Sequence, residues 1–452
     1  MKAIRKTSLD LTDGSILWGI LSFAFPIFLG QVLQQCYNMV DAWVIGNFAS
    51  NDAFAAVSSG GNVTFLIIGF FNGLAAGGGV VISRYFGAHD SSNLKKAIHT
   101  NILFGILCSL VATVAGVLLI PPILRAMNTP ASVLPYSLRY FNIYFAGVST
   151  IVMFNILMSI MRALGDSVYP LYYLLISSVI NVVLDLLFVA VWHWGVSGAA
   201  IATVAAQGVS VILCLLRMMQ SKNEDLRLRV RDLRWDTGIM RQVIRQGLPA
   251  GLQNAVISLG NLAIQTNINS FGAFAMSGQG AHTKIEGFAF LSVMSMSLTL
   301  PTFVSQNLGA GKIQRAKRGA LIGTIIGMIA AALTGVAMYV WAPQLLRLFV
   351  SAPESIAFGT IHARIVTPFY ALLALAHCAA GTLRGCGKST VPMVVMLTFW
   401  CVVRTIYVTV ILRFIYQFGM ISWAYPLTWS LSCIVFLIYL AHLDWEKASL
   451  KL

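Results

Sequence analysis

The sequence MRALGDSVYP at residues 161–170 is matched by LRGCGKSTVP at residues 383–392. The two segments share Arg, Gly, Ser and Pro at equivalent places, and an offset of 222 residues separates them. The same offset pairs VISRYFGAHDSSNLKKA at 81–97 with FVSQNLGAGKIQRAKRG at 303–319. Because the matched segments recur in the same order, the sequence indicates an internal duplication into two halves with one fold.

The composition predicts that both halves lie in a membrane. The 452 residues are 58% hydrophobic and only 10% charged, with a mean hydropathy of +0.80. Soluble domains contain about 25% charged residues, so the surplus apolar surface is expected to be buried in lipid. Twelve apolar runs are long enough to cross about 30 Å of hydrocarbon. We call them spans 1 to 12, and they cover residues 16–44, 53–82, 97–120, 137–160, 168–191, 195–218, 240–268, 277–304, 319–341, 357–382, 391–413 and 419–441.

The basic residues predict the orientation of these spans. Most of the 30 Lys and Arg residues fall in alternate connecting segments and at the chain ends, which predicts that both termini are cytoplasmic. The net charge of +15 is therefore interpreted as a topology signal rather than a nucleic-acid footprint. The first run is too long for a signal peptide and lacks a small-residue cleavage site, so it is expected to span the membrane.

The expected fold is an all-α polytopic membrane protein. Its twelve transmembrane helices form two six-helix bundles related by pseudo-two-fold symmetry along the membrane normal, an arrangement that places a substrate site between the halves. The expected segments are a cytoplasmic N-terminus at 1–15, bundles at 16–218 and 239–442, a cytoplasmic linker at 219–238 and a cytoplasmic C-terminus at 443–452.

Common enzyme and metal motifs are absent from the sequence. The seven Cys form no CxxC and the seven His no HExxH, and neither GxxxxGK[ST] nor DDxxD occurs. These absences weigh against an ATPase, a prenyltransferase, a dedicated transition-metal site and an organic cofactor, so we expect a protein that is not an enzyme.

Two carboxylates lie within predicted spans of the first half, Asp41 in span 1 and Asp185 in span 5. A charge at membrane depth costs about 2.5 to 3.5 kcal/mol, so each is a functional hypothesis. At about 1.5 Å per residue, these residues and Thr203 of span 6 all fall in the outer third of the bilayer. Asn181 lies one helical turn before Asp185. Carboxylate, amide and hydroxyl oxygens suit Na+, and the carboxylates also suit a proton. The repeat counterparts carry no acid, being near Ile264, Tyr407 and Leu427.

Other side chains predict a substrate cavity. Gln34 and Asn38 form a stripe with Asp41, and a polar stripe in an apolar helix faces protein or water. Glu286 in span 8 either meets a cationic substrate or pairs with His282, whereas Arg404 is interpreted as a buried structural partner. Flexible Met and aromatic side chains suit a promiscuous cavity. The predicted cavity residues are Gln34, Tyr37, Asn38, Met153, Phe154, Glu286, Phe288 and Met294.

The motifs resemble those of multidrug and toxic compound extrusion (MATE) transporters. The resemblance rests on the doubled six-span pattern, Pro in spans 1 and 7, SQNLGAG after span 8 and RxxGxSxxP after spans 4 and 10, and it covers about residues 12–442. It implies export of organic cations and drugs, driven by inward flow of Na+ or H+. The acidic pattern resembles the DinF-like and MepA-like bacterial branch. The NorM-like branch instead carries acids in spans 7 and 10, where this chain has Gln265 in span 7 and no acid in the apolar stretch of span 10. The branch resemblance implies a span 8 acid at Glu286 and a cation site at Asp41, Asn181, Asp185 and Thr203.

The resulting hypothesis is a multidrug antiporter that works by rocker-switch alternating access. Neutralising the acidic pair lets span 1 repack by bending at Pro26, and H+ and Na+ remain open as coupling ions. We expect a monomer in the bacterial cytoplasmic membrane, in contact with lipid and organic cations and not with nucleic acid. The alternative is a flippase for a lipid-linked precursor. An anionic pyrophosphate would need several cavity cations, and no Lys or Arg occurs from Thr7 through Ser83.

Overall fold

The computed structural model describes residues 9–50, 52–53, 56–57, 61–126, 130–221, 223 and 226–450. Every regular element in this part of the chain is a helix, which confirms the predicted all-α class. The helices of spans 1 to 6 are Ile16–Phe48, Gly61–Gly87, Ser91–Ala126, the pair Leu134–Ala146 and Val148–Ala163, Val168–Asp185 continued by π-helical Leu186–Val191, and Val196–Met219.

The second half repeats this order. The helices of spans 7 to 12 are Thr237–Asn269, Ala273–Gly309, Ile313–Val340, the series Pro353–Val366, Thr367–Phe369 and Tyr370–Gly385, the series Thr390–Met396, Leu397–Val403 and Arg404–Phe414, and Phe418–Ala441. Among the described residues, three short helices lie outside the spans: Val230–Asp232, Ala342–Leu346 and Trp445–Leu450.

The count of apolar helices differs from the twelve predicted spans. Within the described residues, 10 helices are long and apolar enough to cross a membrane, or 11 with the pair Leu134–Ala146 and Val148–Ala163, which is bent by 48°. Span 7 is not among them, although Thr237–Asn269 is a helix of 33 residues. Amide and hydroxyl side chains recur along span 7 and lower its hydropathy, which is why length and composition alone do not identify it.

The repeated sequence motifs are helix C-caps. After span 4, Gly165 has a φ of 80°, its N–H donates to Arg162 O at 2.9 Å, and the next N–H donates to Met161 O at 3.0 Å. After span 10, Gly387 has a φ of 75° and its N–H donates to Arg384 O at 2.9 Å. This is the Schellman arrangement, in which the left-handed residue is usually Gly because it has no Cβ. The shared Gly therefore ends the equivalent helix in each half.

Contacts divide the chain into two units. Unit 1 contains Leu29–Gly251, and unit 2 contains Asp10–Phe28 and Leu252–Leu452. The chain therefore changes unit inside span 1, two residues after Pro26, and inside span 7, two residues after Pro249. The predicted bundles, at 16–218 and 239–442, instead begin and end between spans. These bundle boundaries stay a prediction.

Within unit 1, spans 2 and 7 pack backbone against backbone. A Cβ added at Gly77 would overlap the backbone of Gly247, and one at Gly73 would overlap the backbone of Gly251. Each helix contributes two Gly four residues apart, the spacing that brings membrane helices close together. Tyr85 Oη then donates to Gln242 Oε1 at 3.2 Å, towards one end of the same contact.

The linker before span 7 is docked on the start of span 3. Lys95 Nζ donates to Asp232 Oδ2 at 2.9 Å, and His99 Nδ1 lies 2.9 Å from the Asp232 carbonyl oxygen. The Asp236 N–H donates to Thr100 Oγ1 at 3.2 Å. The charged linker thus has a defined place in unit 1.

Candidate functional site

The two intramembrane carboxylates of the first half are in contact. The side chains of Asp41 and Asp185 lie within hydrogen-bonding reach of each other, although they lie on spans 1 and 5. An ionised carboxylate has no proton to donate, so the two side chains can share a hydrogen bond only when one of the carboxyl groups is protonated. Asp185 is fully buried, and the Oδ1 atoms of both residues are buried with no hydrogen-bond partner among the described residues.

Asn181 joins this pair to span 6. With its amide nitrogen oriented to donate to Asp185 Oδ2 at 2.9 Å, its oxygen accepts from the Thr203 backbone N–H at 3.3 Å. The spacing of four residues places Asn181 and Asp185 on one face of span 5. The structure therefore brings together the four predicted cation-site residues; their role in binding a cation stays a prediction.

Span 5 changes geometry at this site. The α-helix ends at Asp185, and Leu186–Val191 continues it as a π-helix. Short π-helical turns inside longer helices occur frequently at functional sites. The π-helix shifts the residues after Asp185 out of the α-helical register. Asp185 therefore lies where the α-helix of span 5 ends and the π-helix begins.

Three Tyr side chains surround the acidic pair. Tyr37 lies close to Thr203 and within electrostatic reach of both carboxylates. Tyr140 and Tyr144 of span 4 lie within electrostatic reach of Asp41 and stack with a ring separation of 5.8 Å. Tyr37 was among the predicted cavity residues and the other two were not, because aromatic residues in apolar spans usually serve packing. Their spacing of four residues, which predicts a shared face, was the available signal.

This group of side chains has the chemistry to hold a small cation. Two carboxylates, an amide and a hydroxyl are hard oxygen donors of the kind that Na+ prefers, and the Oδ1 atoms of Asp41 and Asp185 are buried without a hydrogen-bond donor among the described residues. The donors therefore fit Na+, and the carboxyl pair fits H+. Among the described residues, no group of three or more His, Cys, Asp or Glu side chains could hold a metal ion.

The predicted cavity residues have different exposures. Gln34, Asn38 and Phe288 are exposed, while Tyr37, Met153 and Met294 are half-buried. Phe154 is only 5% exposed and packs inside its bundle. Phe154 is therefore covered by protein in this conformation, whereas the residues of the first two sets keep part of their surface uncovered.

Glu286 has a partner other than the one considered from sequence. Its Oε1 accepts a hydrogen bond from Tyr370 Oη at 3.2 Å. His282 instead lies edge-to-face against His362, with ring centroids 4.6 Å apart. The carboxylate is held by span 10, and it also lies within electrostatic reach of Arg404.

Arg404 is a buried member of unit 2. Its Nε and Nη2 donate to Thr428 Oγ1 at 3.1 and 2.9 Å, and its guanidinium lies 4.4 Å from the centre of the Tyr425 ring. Hydrogen bonds and an aromatic face are the contacts that a buried Arg requires. They agree with the interpretation of Arg404 as a structural partner.

Comparisons with known proteins agree with this architecture. The MatE family model matches residues 26–187 and 249–421. The chain is 28% identical over 392 residues to "Probable multidrug resistance protein YpnP" of Bacillus subtilis, covering 86% of this chain and 87% of that protein. It is 22% identical to "Multidrug export protein MepA" of Staphylococcus haemolyticus, covering 83% of each. A solved structure described as "Outward-facing conformation of a multidrug resistance MATE family transporter of the MOP superfamily" superposes with a TM-score of 0.91 at 18% identity over the full length of both chains.

Proposed function

The chain belongs to the MatE family, and we propose that it exports organic cations and drugs in exchange for H+ or Na+. The names of the relatives, multidrug resistance and multidrug export proteins, support the substrate class. The observation that carries the coupling proposal is the buried contact between Asp41 and Asp185, with one unpartnered oxygen on each. An acidic pair with buried carboxyl oxygens that can hold a proton is suited to exchanging it for another cation.

The exchange is proposed to run through alternating access. In the outward-open state the acidic pair takes up H+ or Na+ as the drug leaves, and in the inward-open state the cation leaves and a drug enters. Coupling requires that the cation and the drug favour different states or compete for one site. Neither ligand alone would then complete the cycle without the other.

Pro26 is the proposed hinge of span 1. A proline inside a helix removes one backbone hydrogen bond and favours a bend. The change from unit 2 to unit 1 two residues later supports a hinge at this point, because the two ends of span 1 pack in different units.

We propose a multi-pass protein of the bacterial plasma membrane, with both termini in the cytoplasm, that works as a monomer without a cofactor and without enzymatic activity. The flippase alternative is weaker, because the deep cation Arg404 is already engaged by Thr428. An anionic pyrophosphate would need cations that are free to bind it.

The test is export of ethidium from proteoliposomes under a pH gradient and a Na+ gradient imposed separately. Export driven by one gradient, absent in Asp41→Asn and retained in Asp90→Asn, would establish the antiporter and identify the coupling ion. Asp90 is a suitable control because its carboxylate accepts from Asn93 outside the spans. Gradient-driven export that survives Asp41→Asn and Asp185→Asn would exclude the acidic pair from the mechanism.

A further inference from the structure

Span 7 carries a row of uncharged polar side chains. Successive members are three or four residues apart, so they fall on one face of the helix. Leu252, which is 41% exposed, lies on a different face. We call this row the span 7 amide face, and its members are Asn254, Ser258, Asn261, Gln265 and Asn269.

The outer part of this face is accessible and incompletely hydrogen-bonded. Asn261 is exposed, and no partner of its side-chain amide is found among the described residues. Gln265 Nε2 donates to Asn269 Oδ1 at 2.9 Å. Asn261 lies eight residues before the helix end at Asn269, which places it about 12 Å from that end at 1.5 Å per residue.

At that depth in the membrane, the Asn261 side chain is not expected to face lipid. A hydrocarbon core about 30 Å thick extends past this position, and a free amide facing hydrocarbon would be left without any hydrogen bond. Exposed polar side chains at membrane depth face water or a ligand. The outer part of this face, around Asn261, is therefore a surface in contact with water, and it carries a side-chain amide that can bind a ligand.

The repeat distinguishes this face from its equivalent in span 1. The offset of 223 residues that relates Pro26 to Pro249 also relates Asn38 to Asn261 and Asp41 to Ile264. The amide is present in both halves, whereas the carboxylate is present only in the first. Span 7 thus keeps the hydrogen-bonding amide of span 1 without its carboxylate.

We propose that the span 7 amide face binds the uncharged hydrogen-bonding groups of the exported compound. The ligand class is amphiphilic organic molecules that carry amine, hydroxyl, amide or carbonyl groups. A side-chain amide both donates and accepts, so Asn261 and Gln265 accommodate varied partners. The inference rests on the proposed function, and it assigns to span 7 the part of the substrate that carries no charge.

The test compares two cationic probes that differ in hydrogen bonding. Ethidium carries two aromatic amino groups, whereas tetraphenylphosphonium has no group that donates or accepts a hydrogen bond. Equilibrium dissociation constants are measured with purified protein and no gradient. In Asn261→Leu and Gln265→Leu, the Kd for ethidium is expected to rise about 3- to 10-fold, the loss of about one net hydrogen bond, while that for tetraphenylphosphonium stays within about twofold.

A matched control lies on the same helix. Asn267 is off the amide face, and its Nδ2 donates to the Ala263 backbone oxygen at 3.0 Å, so Asn267→Leu is expected to leave both constants unchanged. Asn261→Gln, which keeps an amide, is expected to bind ethidium close to normally. If Asn261→Leu does not fold, Asn261→Ala takes its place.

The outcomes separate this inference from the proposed function. Unchanged ethidium binding in both Leu variants, or an equal loss for both probes, would overturn the inference and leave the export proposal standing. Wild-type protein that binds neither probe would overturn the proposed function and the inference together.

Discussion

The Asp41 and Asp185 side chains lie within hydrogen-bonding reach of each other across spans 1 and 5. A hydrogen bond between them needs one proton, and Asn181 donates another hydrogen bond to Asp185 in the orientation that satisfies its amide. The pair therefore has two distinguishable states, with and without its shared proton. Loss of that proton leaves two negative charges in contact, which favours the entry of another cation.

Binding of a cationic drug should release a proton from this pair. On adding ethidium to purified protein in weak buffer, we expect net proton release from the wild type and little or none from Asp185→Asn, which lacks one of the two carboxyl groups that share the proton. Asp90→Asn should release as much as the wild type. Unchanged release from Asp185→Asn in stopped-flow measurements with a pH dye would place the exchanged proton elsewhere.

The contact between spans 2 and 7 should not tolerate even one added methyl group. Gly77→Ala places a Cβ against the backbone of Gly247, which cannot rotate away as a side chain can. We expect a loss of about 1 to 3 kcal/mol in stability, as for overpacked cores, measured as a lower thermal unfolding midpoint in detergent.

Gly280→Ala is the matched control for this contact. Gly280 is also helical, but a Cβ there would meet nothing within 4 Å. Its midpoint should stay unchanged or rise, because Ala is the better helix former by about 0.5 to 1 kcal/mol. Equal midpoints for the two Ala variants would contradict the close backbone contact.

The repeated motifs were sufficient to predict the overall fold because they encode helix ends. Residues such as Gly165 and Gly387 mark where equivalent helices stop, so their offset carries the duplication and the span order. The length of the apolar runs predicted the individual spans, except that span 7 falls short of the hydropathy of a membrane helix. The polar side chains that lower its hydropathy form the face for which we propose a ligand.

The sequence could place Asp41, Asp185 and Thr203 at similar depths, but it could not predict which atoms meet. Depth along a helix follows from counting residues, whereas rotation about the helix axis depends on packing between spans. The spacing of Tyr140 and Tyr144 predicts a shared face, but only the packing of span 4 shows that this face meets Asp41. The change of unit inside span 1 depends equally on tertiary contacts, which no periodicity in the sequence records.

The docked linker should loosen in acid. The hydrogen bond from Lys95 lowers the pKa of Asp232. A carboxyl group with a lowered pKa in the folded state contributes stability above its unfolded pKa of about 3.9, and this contribution is lost as pH falls through the lowered value. We therefore expect hydrogen–deuterium exchange of residues 226–236, corrected for intrinsic rates, to rise a few-fold below about pH 4.

Two variants check the cause of this acid effect. Lys95→Met should show the faster exchange already at pH 7, since the donor is gone at every pH. Asp444→Asn alters a carboxylate bonded to Lys447 in another part of the chain and should leave linker exchange unchanged. A linker that exchanges at one rate from pH 7 to pH 3 in the wild type would show that the ion pair does not hold it.

Replacing Thr428 should lower the stability of the protein more than replacing Arg404, the residue that donates to it. In Thr428→Val, the buried guanidinium of Arg404 loses the oxygen that accepts from Nε and Nη2, at a cost of about 1.5 to 3 kcal/mol for a hydrogen bond to a charged group. Arg404→Met removes the charge together with its need for a partner, and such replacements are often neutral. We expect the unfolding midpoint of Thr428→Val to fall below that of Arg404→Met, and the double variant to resemble Arg404→Met. A double variant less stable than both would instead mean that each residue stabilises the bundle independently.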